Sequence, residues 1–201
     1  MTDYNKETAD VLNQVLQEWG PRVNLQYNSK VLVSDGNVAK TIYAATEPFR
    51  NSFGPSITIA SRGQDIGDVS NLQGVTSKPL EELEMDTYTH AIFGLSGEDP
   101  KFILEGLKWM IYALQPKGIA IITSIKVQSG EAEGQEGQFN LGLEERMLFQ
   151  SKGKIGKLPD VLEYAGFERG KIRSHERTTD AGGKKTEAEV VLAMKWDQLT
   201  G

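Results

Sequence analysis

Two carboxylates stand side by side at Glu98-Asp99, shortly after Ser96 and the apolar run Ala91-Ile92-Phe93-Gly94-Leu95. A carboxylate at the end of a buried strand can take a proton or orient an amine or hydroxyl, which makes Glu98 and Asp99 the candidate general bases. The competing role is local, with Asp99 capping the next helix and Glu98 as first-turn charge. A second constellation is Ser34-Asp35-Gly36-Asn37, directly after Val31-Leu32-Val33. Asp35, Gly36 and Asn37 fall where a parallel sheet presents its ligand crevice, outside the carboxyl end of a strand; they also suit a plain turn before a helix. Ser61 and Arg62 follow the apolar run Ile57-Thr58-Ile59-Ala60, and Ser77 follows Gly74-Val75-Thr76. Thr123, Ser124 and Lys126 close another apolar run. The remaining inventory is short. With no Cys there is no thiolate nucleophile, disulfide or Cys-ligated metal, and His90 and His175 are the only imidazoles. His90 opens its strand at the end opposite the crevice, and His175 and Glu176 lie far along the chain in a closing hairpin, so no chemistry is assigned to them. No Walker loop or G-x-G-x-x-G is present, and Gly94-Leu95-Ser96-Gly97 brings the second Gly one residue too early for a nucleophile elbow.

The elements that must position these groups follow from hydrophobic periodicity. Ala9, Leu12, Val15, Leu16 and Trp19 share one helical face, and Gly20-Pro21 predicts the end of an N-terminal helix over residues 1–22. Val31–Val33 reads as a strand, and Val38, Ile42 and Ala45 as a helix. Ile57–Ala60 is a second strand, Gly74–Thr76 a third, and Leu80 with Leu83 a turn of helix. Ala91–Leu95 is a fourth strand; after Pro100, Phe102, Ile103, Leu107, Met110, Ile111 and Leu114 make an amphipathic helix. A turn at Pro116-Lys117-Gly118 precedes Ile119–Thr123, a continuous apolar run of the kind buried on both faces. Residues 127–157 are rich in Gly, Glu and Gln and read as a flexible loop region, with a short helix over 143–150; a lid over the crevice and an inert insertion both fit. Leu158, Val161, Leu162 and Ala165 predict a helix stopped by Gly166, and 171–178 and 188–194 the two strands of a closing antiparallel hairpin. The whole is an α/β, three-layer sandwich: a mostly parallel sheet with an antiparallel C-terminal strand.

Composition narrows the function. The chain has 201 residues, 22 basic against 28 acidic, for a net charge of −6. That length suits one domain. The charge disfavours nucleic acid, whose phosphates need a basic face. No apolar run approaches the about 20 residues of a membrane span. The polar Met1–Glu7 has no signal-peptide core, so a cytoplasmic protein is expected.

Three passages resemble the class I S-adenosylmethionine-dependent methyltransferases. Tyr88-Thr89-His90-Ala91-Ile92-Phe93-Gly94-Leu95 looks like their fourth strand. Leu114-Gln115-Pro116-Lys117-Gly118-Ile119-Ala120-Ile121-Ile122 is similar to their helix–L-x-P-G-G–fifth-strand passage. Leu158-Pro159-Asp160-Val161-Leu162-Glu163-Tyr164-Ala165-Gly166-Phe167 looks like the L-L-x-x-A-G-F helix before their closing hairpin. The likeness spans Lys30 to Trp196. It implies a Rossmann-like methyltransferase fold, with S-adenosylmethionine contacted by Asp35, Gly36, Asn37, Ser61, Arg62, Ser77 and Ser96. It also exposes departures. The first loop holds one Gly where the family has two or three. Ala60-Ser61-Arg62 stands where a carboxylate usually binds the ribose diol. Thr76-Ser77-Lys78 stands where an acidic residue usually meets adenine.

The leading expectation is methyl transfer to a small organic molecule, with Glu98 or Asp99 as base. The alternatives are a methyltransferase fold that has lost the cofactor, acting as a cyclase or isomerase, and a non-catalytic interaction domain. The last would expose Leu12, Leu16 and Trp19 on the first helix as a partner-binding patch.

Overall fold

A computed structural model describes residues 4–47, 55–61, 69, 71–95, 100–125, 157–181 and 184–196. Helix α1 (Tyr4–Val23) leads into β1 (Lys30–Val33), α2 (Gly36–Ala45), β2 (Ser56–Ser61) and β3 (Val75–Pro79). A single 3-10 turn at Leu80–Glu82 precedes β4 (Tyr88–Leu95), α3 (Pro100–Ala113) and β5 (Leu114–Ile125). Helix α4 (Leu158–Ala165) precedes the hairpin of β6 (Ile172–Ala181) and β7 (Lys184–Met194). The strands form one seven-stranded sheet in the order β3-β2-β1-β4-β5-β7-β6. Strands β1 to β5 pair in parallel, and β7 inserts antiparallel between β5 and β6. This is the expected Rossmann-like α/β sandwich.

The sheet is covered on both faces because its central strands are apolar on both. Val31, Val33, Ile57, Ile59, Ile92, Ile121 and Val190 face α1 and α2, packing with Val11, Leu12, Val15, Trp19, Val38 and Ile42. Leu32, Ala91, Phe93, Ala120, Ile122 and Val191 face α3 and α4, packing with Ile103, Leu107, Met110, Val161 and Leu162. Residue by residue the strands alternate between two cores, which is the meaning of an unbroken apolar run such as Ile119–Ile122. Helix α4 closes on Gly166 at φ 117, where only glycine is comfortable.

Several boundaries differ from the sequence reading. Helix α1 continues through Gly20-Pro21 to Val23, which is fully buried and tied down from outside the helix. The turn expected at Pro116-Lys117-Gly118 is absorbed into β5. There Lys117 takes φ 63, and backbone bonds run from Lys117 N to Lys195 O and from Lys195 N to Gly118 O. The stripe of α1 is spent inside the protein: Leu12 is 1% and Trp19 7% exposed, and Leu16 is half-buried. The partner-binding patch expected there is absent. The helix proposed over 143–150 and the loop region 127–156 lie outside the described residues.

His90 is the tie at the end of α1. It is buried within β4, and its Nε2–H donates to the Val23 carbonyl at 2.7 Å. That carbonyl fixes the proton on Nε2, so Nδ1 accepts from Thr89 Oγ1 at 2.8 Å. Burial pushes the His90 pKa below its ordinary 6.5, opposed in part by the Val23 carbonyl. Above pH 6.5 both folded and unfolded chains carry neutral imidazole. Below it the unfolded chain takes up a proton that the folded one resists, so stability falls until the folded pKa is passed. The loss of melting temperature on acidification from about pH 7.5 to about pH 5.5 should be larger in the wild type than in His90→Gln, whose amide still reaches Val23. Parallel losses in the two proteins would show that His90 does not contribute.

Candidate functional site

The sheet order reverses between β1 and β4: the chain steps outward from β1 to β2 and β3, then returns to the other side of β1. Helices leave the two strands on opposite faces, so their carboxyl ends open a crevice. Asp35 enters it in an extended conformation as the N-cap of α2. Its Oδ1 accepts from Asn37 N at 2.8 Å and Val38 N at 2.9 Å. Ser34 Oγ donates to Asp35 Oδ2 at 2.6 Å and accepts from Gly94 N at 3.1 Å. One hydroxyl therefore links the end of β1, the cap of α2 and the end of β4.

Gly94 sets how closely α1 can approach. A Cβ there would lie 2.7 Å from Thr8 Cγ2 and 3.3 Å from Val38 Cγ2. The second turn of α1 thus rests on β4, with Glu7 and Thr8 both buried. The cleft left between α1 and α2 holds about 240 Å³, counting space open to solvent. Thr8, Ala9, Asp35, Asn37, Val38, Thr41 and Gly94 line it, and Asp35 is the only charged group among them. The far end of α1 is anchored on β6. The Trp19 ring meets His175 edge-on at 4.7 Å and lies 5.2 Å from the Arg177 guanidinium, which pairs with Glu18 at 2.5 Å.

Of the residues singled out by sequence, the structure brings Asp35 and Asn37 to this cleft. Gly36 is buried at the first position of α2, and Asn37 is exposed. Ser61 ends β2, half-buried and in register with Pro79 at the end of β3. Ser77 lies inside β3 rather than after it, exposed and opposite Ile59. Arg62, Ser96, Glu98 and Asp99 lie outside the described residues. Among the described residues no cluster of three or more His, Cys, Asp or Glu could hold a metal ion, and no helix is long and apolar enough to cross a membrane.

The reading from sequence missed Thr8, Ala9, Thr41 and Gly94. Gly94 left a signal, since a glycine inside an apolar strand marks a close approach of another group. Thr8 and Ala9 left none, because nothing in a helical pattern says which strand end it will cover.

Two substitutions test this construction. Gly94→Ala must push Thr8 and α1 away and should cost about 1–3 kcal/mol in chemical denaturation. Asp35→Ala should cost about 1 kcal/mol, and Asp35→Asn, which still caps, much less. Equal losses for the Ala and Asn variants would mean that the cap is not what Asp35 contributes.

No protein-family model and no curated protein matches the sequence. Solved structures do match in fold. Phosphoethanolamine N-methyltransferase 2 of Haemonchus contortus, solved with phosphomonomethylethanolamine and S-adenosylhomocysteine, is 12% identical with a TM-score of 0.57, over 92% of this chain and 52% of that one. The cyclase SpnF is 12% identical with a TM-score of 0.55, over 92% and 80%. A 16S rRNA adenine-N1 methyltransferase from Catenulisporales acidiphilia is 11% identical with a TM-score of 0.54, over 90% and 92%. The chain has the class I methyltransferase-like fold; the neighbours' reactions remain their own.

Proposed function

We propose that the crevice between β1 and β4 binds S-adenosylmethionine and that the protein transfers its methyl group to a small organic molecule. The observation that carries this reading is the cleft at the point where the strand order reverses, walled by α1 and the first turn of α2. The residues present fit such a cofactor, though with a weaker grip than a family carboxylate would give. Asp35 keeps lone pairs for a cationic amino group beyond its three internal donors. Asn37 stands exposed at the mouth. Ser61, at the end of β2, would meet a ribose diol with a hydroxyl where a carboxylate would form charge-assisted bonds. The cofactor would supply an electrophilic methyl group; the protein's part is to hold donor and acceptor in line and exclude water.

A second reading is favoured by one feature of the same site. The amides of Asn37 and Val38 already bond to Asp35, and Thr8 covers Gly94, so the backbone surfaces that could cradle a ligand are engaged by the protein itself. This suits a fold that has lost the cofactor and keeps the crevice for an isomerisation or cyclisation.

Calorimetric titration with S-adenosylmethionine and S-adenosylhomocysteine separates the two. The first reading expects saturable binding that weakens about fivefold in Asn37→Ala, the worth of one ordinary hydrogen bond. No heat from either ligand at millimolar concentration would remove methyl transfer and leave the second reading.

A further inference from the structure

The corner of the sheet where β7 ends is apolar and exposed, at the opposite end from the crevice. In register, Ile119 of β5 lies opposite Met194 of β7, and Leu192 of β7 lies opposite Arg173 of β6. Ile119 and Leu192 are half-buried against the core on the α1 side. Side chains alternate along a strand, so Met194 shares that face with Leu192. Met194 is 38% exposed, and Trp196, two residues on, is 54% exposed. Trp196 does not hang from a loose end. The backbone of Lys195 before it bonds to Lys117 and Gly118, and the Lys195 ammonium donates to Asp86 Oδ1 at 2.7 Å.

Helix α1 covers this side of the sheet, and its course leaves the corner open. It meets β6 at Trp19, against His175 and Arg177, and ends at β4, where Val23 bonds to His90. Met194 and Trp196 lie beside its last turn and not beneath it, as their exposure shows. The flank of the corner along β6 is basic. Arg173 is exposed, and its Nη1 donates to the carbonyls of Gly170 and Ile172 at 3.0 and 2.9 Å, which leaves its charge without a carboxylate. Lys171 just before β6 is exposed, and so is Arg22, one turn past Trp19 on α1. From Arg173 to Arg177 on β6, and from Ala188 to Met194 on β7, the residues turned to this face include no carboxylate. Glu18 on α1 is paired with Arg177. In a chain of net charge −6, this is a local excess of positive charge around an apolar surface.

We propose that this corner docks an amphipathic helix of a partner protein, apolar toward Leu192, Met194 and Trp196 and acidic along the flank beside Arg173. A sheet face in a layered fold is covered by helices, and a helix laid beside α1 completes that layer. An exposed Trp held by a bonded neighbour is the kind of anchor on which binding energy concentrates. Charge complementarity selects the partner. An acidic flank answers Arg173, Lys171 and Arg22, whereas a second copy of this chain would bring the same basic flank to the contact. A bilayer of anionic lipid would meet the net negative charge of the rest of the molecule. The proposal is independent of what the crevice binds.

The test titrates in a peptide of about 16 residues, long enough to form helix, with Leu on one stripe and Glu on both flanks. Its counterpart has Lys in place of every Glu. Binding is read by NMR from the amides of Ile119, Leu192 and Met194 and from the Trp196 indole N–H. Saturable shifts at this corner are expected with the Glu peptide alone, weakening as salt is raised. Affinity should fall about tenfold in Met194→Ser, which removes apolar surface, and about threefold in Arg173→Gln, which removes the charge. Melting temperatures close to wild type would show that the loss is of docking and not of folding. Trp196→Ala, at an exposed site past the end of β7, gives a second reading should Met194→Ser unfold. Absence of saturable shifts, equal shifts with the Lys peptide, or unchanged affinity in Met194→Ser and Trp196→Ala would each overturn the proposal. Co-sedimentation with phosphatidylserine vesicles that Trp196→Ala abolishes would overturn it in favour of a membrane surface. A dimer in sedimentation equilibrium that the same variant abolishes would overturn it in favour of a second copy.

Discussion

The close contact of α1 with β4 at Gly94 is the constraint on which the rest of the site depends. A helix lying across strand ends normally stands off by the width of the side chains between them. Here the missing side chain lets Thr8 reach the space where a Cβ would sit. That contact brings α1 against α2 and closes the crevice to a narrow cleft. The far half of the helix then lands where Trp19 packs between His175 and Arg177 and where Val23 meets His90. The anchors lie on β4 at both ends of the helix and on β6 between them, so the helix is fixed along its length by contacts distant in sequence. The same helix that could have served as a docking surface becomes part of the core and one wall of the site.

The electrostatics of the crevice follow from Asp35. A helix N-terminus aimed at a crevice is an anion site by default, since its free amides and dipole favour negative charge. Asp35 supplies that anion from the chain itself, taking the amides of Asn37 and Val38 and the Ser34 hydroxyl. A phosphate entering here would displace the cap and meet a carboxylate. The cleft suits a neutral or cationic group, which agrees with the absence of a glycine-rich phosphate loop from the sequence.

What could be read from the sequence was what periodicity and breakers encode. The apolar runs at 31–33, 57–60, 91–95 and 119–123 all became strands of the parallel sheet, and Leu158–Ala165 became a helix ended by Gly166. Local signals misled where tertiary contacts outweighed them. Gly20-Pro21 is a strong stop, yet burial of Val23 and its bond to His90 carry α1 past it. Pro116-Lys117-Gly118 is a strong turn, yet pairing with Lys195 holds it in β5. The cleft was half legible: Asp35 and Asn37 follow directly from a strand, whereas Thr8 and Ala9 reach it through a packing choice that no local pattern records.

The hairpin shows the same limit more sharply. In linear order Glu176 and Glu189 are far from every predicted site residue, and distance along the chain argues against a role for them. Antiparallel insertion of β7 beside β5 brings them close in space all the same, because it turns the hairpin back along the sheet and sets Glu189 next to Ser124. A parallel last strand would have carried its polar residues to the other end, away from the crevice. The topology that distinguishes this sheet from a wholly parallel one is therefore also what places charge at its open end. It does so with residues whose alternation, Glu187, Glu189 and Val191 on one face, reads as an ordinary half-buried strand.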